Sequence, residues 1–230
     1  MPEVRPDRRS VLLGAVTAGG AALVAGCQGR SPSAAPRAAT SAAGSPSGGA
    51  AAASINAASV APAGKPGPGD WRTLAGELSG PLIRPGDSSY PVARRLFDPR
   101  FDTLAPPSGI AYCRGPHDVT SCLAFVRRFR IPMAVRCGGH SYAGWSSTSG
   151  LIIDVSRMSG VSVSGTTATV GAGTRLIDLY SALAAKGRVL PGGSCPTVGV
   201  SGLTLGGGIG VVARAYGLTC DNLRSLQVVT

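Results

Sequence analysis

The sequence is short of the side chains on which much enzyme chemistry depends. Its 230 residues hold two histidines, His117 and His140, two tryptophans and 11 acidic residues. Of the 22 basic side chains only two are lysine, and the arginines are scattered rather than clustered. No basic stripe with interleaved aromatics occurs, which argues against a nucleic-acid groove and leaves the charge to solubility or weak attraction to anionic surfaces. The six cysteines form no C-x-x-C pair, so no metal site is assigned, and Cys113, Cys122, Cys137 and Cys220 are expected as buried thiols. A Gly-x4-Gly-Lys-Ser/Thr phosphate loop is missing. Gly171-Ala-Gly173 sits between strand and helix as a dinucleotide fingerprint would, but Leu176 occupies the third glycine position and no acidic residue follows at the required distance. The apolar run from Val11 to Gly26 is too short for a bilayer span, which needs about 20 strongly apolar residues.

What is present divides the chain. Residues 1–26 carry Asp7-Arg-Arg-Ser-Val-Leu-Leu13 and then the apolar run, a pattern that resembles a twin-arginine export signal. Val24-Ala-Gly-Cys27 reads as a lipobox, so Cys27 would take a lipid and tether the protein to a membrane outside the cytoplasm. Residues 27–69 are Ala, Ser, Pro and Gly with almost no charge, too little apolar surface to offset ordering, and are expected to be a flexible tether. Residues 70–104 form an N-terminal arm with a short helix over Trp71 to Leu78, and residues 105–230 form the main domain.

In that domain strands are expected at Gly109 to Arg114, Pro132 to Arg136, Leu151 to Val155, Val161 to Ser164 and Ala168 to Gly171, with a short one at Val189-Leu190. Pro116-His-Asp-Val opens a helix whose Val119, Cys122, Leu123 and Val126 share one face, and His117 at its start is assigned a structural role. A second helix, Thr174 to Lys186, places Leu176, Tyr180, Leu183 and Ala184 together and ends at Gly187. Leu226 to Thr230 reads as the middle of a β-branched strand, so the chain is expected to be the N-terminal piece of a longer protein or a truncated gene product.

Two glycine-rich stretches organise this pattern. Arg136-Cys-Gly-Gly-His-Ser-Tyr-Ala-Gly-Trp-Ser follows a strand directly. Gly192-Gly-Ser-Cys-Pro-Thr-Val-Gly-Val-Ser-Gly-Leu-Thr-Leu-Gly-Gly-Gly-Ile-Gly210 follows about fifty residues later. Each sets one nucleophile, His140 or Cys195, where glycine allows backbone N–H groups to close on a ligand. Two such loops suit a large, flat, phosphate-bearing cofactor held at both ends, and a flavin is the reading that fits.

The two stretches, with Leu151-Ile-Ile-Asp-Val-Ser-Arg-Met158 and Ala215-Tyr-Gly-Leu-Thr-Cys-Asp-Asn222, resemble the berberine bridge enzyme-like FAD-linked oxidoreductases. That group belongs to the p-cresol methylhydroxylase/vanillyl-alcohol oxidase type. The resemblance implies an α+β fold of two small α/β subdomains around FAD, with a substrate domain downstream. It implies FAD contacts from Arg136, Cys137, Gly138, Gly139, His140, Ser141, Gly193, Cys195, Val198, Gly199, Gly202, Gly206, Gly207 and Gly208. By the same resemblance, His140 would join the flavin 8α carbon and Cys195 the C6 carbon. Cys137 departs from the usual Ser or Gly, with little consequence where backbone amides do the binding. Asp154 and Asp221 are given orienting roles only.

The expected activity is oxidation of an alcohol, a sugar or a secondary metabolite by hydride transfer to flavin, with O2 as acceptor. The substrate base would lie in the downstream part, so this chain alone is expected to be inactive. Two alternatives stand beside it: a flavin dehydrogenase with another acceptor, and a non-enzymatic surface lipoprotein that binds glycan.

Overall fold

Strand formation begins where β-branched residues can be buried on both faces. Leu151, Ile152 and Ile153 are wholly inaccessible in the strand Leu151–Asp154, and successive side chains point to opposite sides. In the computed structural model, which describes residues 64–230, this strand (β4) lies inside a four-stranded sheet of order β1-β2-β4-β3. β1 is Leu82–Ile83, β2 Gly109–Tyr112 and β3 Met133–Arg136; β1 runs antiparallel to β2, whereas β2, β4 and β3 are parallel. The expected leader, the Cys27 lipobox and the tether to residue 63 lie outside the described residues.

One face of the sheet is covered by α1 (Pro68–Glu77) and α3 (Pro116–Phe129), which bury Trp71, Leu74, Cys122, Phe125, Val126 and Phe129 over Ala111, Leu151 and Ile153. Each such side chain contributes roughly 1.5–3 kcal/mol on burial. The other face is closed by α2 (Tyr90–Ala93): Tyr90 packs on Ile110 and Ile152, and its hydroxyl donates to the Pro107 carbonyl at 2.6 Å. Helix α1 starts at Pro68, inside the stretch expected as tether, because proline suits the first helical turn and the Asp70 carboxylate accepts the Gly67 N–H at 2.8 Å. Helix α3 begins at Pro116, as the pattern requires, carries Arg127 and Arg128 in its last turn, and stops at Arg130, which is left-handed with φ 49°.

A second, smaller core follows. The hairpin β5 (Val161–Ser164) and β6 (Thr167–Val170) packs its inward residues against α4 (Leu176–Ala184). The buried face of α4 is Leu176, Leu179 and Leu183; Ala184 is exposed, because packing against the hairpin turns the Leu179 side of the helix inward. Helix α5 (Val200–Leu205) adds Val200 to this core, and a four-residue α6 (Ala213–Tyr216) follows. The fold is thus mixed α and β in two small sheets, as expected.

Three expectations fail. Val189-Leu190 and Leu226 to Thr230 form no strand, because a strand needs a neighbouring edge and neither segment has one among the described residues. Cys113 and Cys122 are fully buried, but Cys137 and Cys220 are only half-buried.

Candidate functional site

The first glycine loop leaves β3 over a buried ion pair. Arg136 and Asp154 face each other across β3 and β4, and Arg136 Nε donates to Asp154 Oδ2 at 2.6 Å with both side chains about 95 % buried. The guanidinium of Arg136 is therefore turned into the protein, although Nη1 finds no partner among the described residues. Asp154 Oδ1 also accepts the Ser156 N–H at 2.9 Å. The pair sets where the chain leaves the sheet, which agrees with the orienting role given to Asp154.

Past this anchor the two glycine stretches meet backbone to backbone. A Cβ on Gly138 would lie 2.5 Å from the Thr197 carbonyl and 2.6 Å from the Gly199 nitrogen, and one on Gly199 would collide with Cys137. Only glycine at both positions permits the approach. Cys137 lies beneath it, its thiol directed to the Ala172 carbonyl at 3.3 Å, and burial pushes that thiol up so that it stays protonated. Gly139 follows in the left-handed region at φ 73°.

This turn brings the imidazole of His140 against the second stretch. His140 Nε2 is 2.8 Å from Thr197 Oγ1, and the ring stacks on Phe97 with centroids 3.8 Å apart. Burial lowers the pKa of His140 below the usual histidine value, which favours the neutral, nucleophilic imidazole at pH 7. Cys195 is exposed and stands two residues before Thr197. The two nucleophiles singled out from sequence thus belong to segments that the fold joins through Thr197.

Beside them, the backbone N–H groups from Gly139 to Ala143 donate to no protein acceptor among the described residues. Ser141 is occupied locally, its Oγ accepting the Trp145 N–H at 3.1 Å. The loop is held from outside by the arm: Phe97 N–H donates to the Gly139 carbonyl, and Arg100 Nη2 reaches the Tyr142 carbonyl at 2.6 Å.

The rest of the second stretch is stitched separately. Val198 accepts the Leu176 N–H, and Tyr180 donates to the Gly193 carbonyl at 2.7 Å. Gly202 lies on the exposed side of α5 and Gly206 caps it. Gly207 and Gly208 are left-handed, at φ 98° and 79°, and fold onto buried Thr219, whose N–H donates to the Gly208 carbonyl at 2.9 Å and whose hydroxyl lies 2.8 Å from the Pro191 carbonyl. Asp221 closes the following turn by accepting the Leu218 N–H at 2.8 Å.

The sequence gives Phe97, Thr197 and Thr219 no site role, and places Tyr180 only on the apolar face of a helix. Thr197 and Thr219 stand inside the glycine motifs, where a hydroxyl among glycines is the available signal. Phe97 and Tyr180 carried none beyond being apolar. The residues fit a flavin dinucleotide: a row of amides with no acceptor among the described residues for phosphate oxygens, an imidazole of lowered pKa, and an exposed thiol two residues from Thr197, the hydroxyl partner of that imidazole.

The FAD binding domain family matches residues 107–230. The chain is 36% identical over 156 residues to an uncharacterized FAD-linked oxidoreductase, YgaK, of Bacillus subtilis, a match that covers 66% of this chain and 34% of that protein. It is 36% identical over 156 residues to berberine bridge enzyme-like 11 of Arabidopsis thaliana, covering 63% and 30%. Among solved structures it resembles wild-type Phl p 4.0202, a glucose dehydrogenase, with a TM-score of 0.61, 29% identity, and 67% of this chain and 34% of that one covered. The chain therefore spans about a third of the length of the curated relatives it matches. With its glycine loops and candidate nucleophiles so arranged, the chain, which is similar to FAD-linked and berberine bridge enzyme-like proteins, belongs to the FAD-binding domain family.

Proposed function

We propose that this chain is the cofactor-holding part of an exported oxidoreductase that oxidises an alcohol or sugar-type substrate through FAD attached covalently to His140 and Cys195. Bound FAD would supply the two-electron acceptor for a hydride from substrate and pass the electrons on to O2. The chain's own residues hold and orient: amides of the Gly139–Ala143 turn would meet phosphate oxygens, and the Gly138–Gly199 contact joins the two segments that carry His140 and Cys195. The observation that carries the reading is the 2.8 Å contact of His140 with Thr197, which joins the two nucleophile-bearing loops. Covalent attachment would suit an open site, because the cofactor could not be lost outside the cell. The sugar class draws support from the glucose dehydrogenase that the fold resembles.

A dehydrogenase is the second reading, favoured by that same neighbour, one single-substitution variant of which is a glucose oxidase. Oxygen consumption compared with dye reduction separates the two. Arg8-Arg9 and the Val24 to Cys27 sequence support export of an already folded protein and a lipid tether. The experiment for the central claim is acid denaturation of the purified protein followed by peptide mass mapping. Flavin mass on peptides that contain His140 and Cys195 is expected; flavin released wholly into the supernatant would remove the covalent assignments.

A further inference from the structure

We infer that Thr197 is the positioning residue that directs covalent attachment at His140, by holding the Nε2 proton and leaving Nδ1 as the reacting nitrogen. The inference rests on the covalent reading of His140 given above. A neutral imidazole carries one proton, and the nitrogen without it has the lone pair. Thr197 Oγ1 lies 2.8 Å from Nε2; in the inferred arrangement the hydroxyl oxygen accepts the Nε2 N–H, which places the lone pair on Nδ1. Phe97 lies flat against the ring at 3.8 Å and fixes its plane, and among the described residues no charged side chain forms a hydrogen bond or ion pair with His140. The imidazole is thereby held in one tautomer and one plane by two groups from distant parts of the chain.

The chemistry of attachment gives the hydroxyl a second task. A bond forms between Nδ1 and the 8α carbon, and a C–H bond at that carbon breaks, its proton going to solvent. The resulting alkylated imidazole must also lose the Nε2 proton to become neutral again. Thr197 is exposed and touches that proton, so it passes to water along the existing hydrogen bond, after which the hydroxyl turns and donates to Nε2. The two electrons left over go to dioxygen, which with the two protons becomes hydrogen peroxide.

The test uses the full chain produced in riboflavin-starved cells, so that it carries no flavin, and then supplied with FAD in air. Acid-stable flavin on the His140 peptide and on the Cys195 peptide is followed separately with time, non-covalent FAD uptake is read by fluorescence quenching, and NMR of the isolated peptide identifies the bonded nitrogen. Thr197→Val is expected to slow attachment at His140 about tenfold or more, the scale of one lost hydrogen bond in a reacting geometry. FAD uptake and Cys195 attachment should stay as in the wild type, Thr197→Ser should restore the rate, and the wild-type bond should be to Nδ1. Attachment at the wild-type rate in Thr197→Val, an Nε2 bond in the wild type, or equal loss of uptake and of both attachments would overturn the inference alone. Absence of flavin from His140 in the wild type would overturn it together with the covalent reading.

Discussion

Arg136 and Asp154 illustrate what a single pair can decide. Two charges at the ends of adjacent strands are taken almost wholly out of water, a burial that is tolerable only while each has the other. Their reward is positional, since β3 leaves the sheet at Arg136 and reaches His140 four residues later. Asp154→Ala should therefore cost about 3–5 kcal/mol, because it strands a buried guanidinium, whereas Arg136→Met combined with Asp154→Leu should recover most of that loss. Urea unfolding of the three proteins checks this; a loss below about 1 kcal/mol for Asp154→Ala would show that the pair is not under strain of burial. The guanidinium of Arg136 itself is buried behind the loop.

At the scale of elements, the contact between α3 and the segment joining α1 to β1 turns on Asp118. Its carboxylate accepts the Ser79 N–H at 3.0 Å, the Ser79 hydroxyl at 2.7 Å and the Arg114 N–H at 2.8 Å. Burial alone would raise its pKa; the hydrogen bonds from Arg114 and Ser79 outweigh burial and lower it. A carboxylate with a lowered folded-state pKa contributes stability that is present above its unfolded value, about 3.9, and is lost as pH falls through the folded value. Asp118→Asn is expected to lower stability at pH 7 by about 1.5–3 kcal/mol, the range for hydrogen bonds to a charged group. The gap between wild type and variant should narrow below about pH 4. A gap that stays constant through acid pH would assign the effect to packing. The consequence reaches the site, because this contact helps fasten the arm whose Phe97 and Arg100 hold the first loop.

Across the whole described molecule there are two cores, one around the four-stranded sheet and one around α4 and the hairpin. The glycine loops come one from each part, and they meet at Gly138 and Gly199. A cofactor held by both loops binds only when both parts are folded. FAD at about a hundred times its dissociation constant should add roughly 2.7 kcal/mol to any opening that destroys the site. Hydrogen exchange is then expected to show slower exchange with FAD in β4 and also in α4, which has no part in the first loop. Protection confined to the sheet would mean that the second loop does not touch the cofactor.

Much of this was legible beforehand because it depends on local periodicity. The alternation in β5 and β6, the apolar face of α3 and the glycine runs announce themselves in consecutive residues, and the order of the two motifs was enough to indicate the family. The segments Val189-Leu190 and Leu226 to Thr230 form no strand among the described residues, since β propensity says what a segment tolerates and not whether an edge is there to pair with it. Leu179 was passed over because neighbouring residues on α4 have similar apolarity, and only packing against the hairpin chooses the face. The sequence by itself determined where the two candidate nucleophiles stand, His140 and Cys195, and where the backbone could bend around a ligand. Tertiary structure alone decided what surrounds them: Thr197 at 2.8 Å and Phe97 at 3.8 Å lie 57 and 43 residues away along the chain, and such contacts arise from packing, which no local pattern encodes.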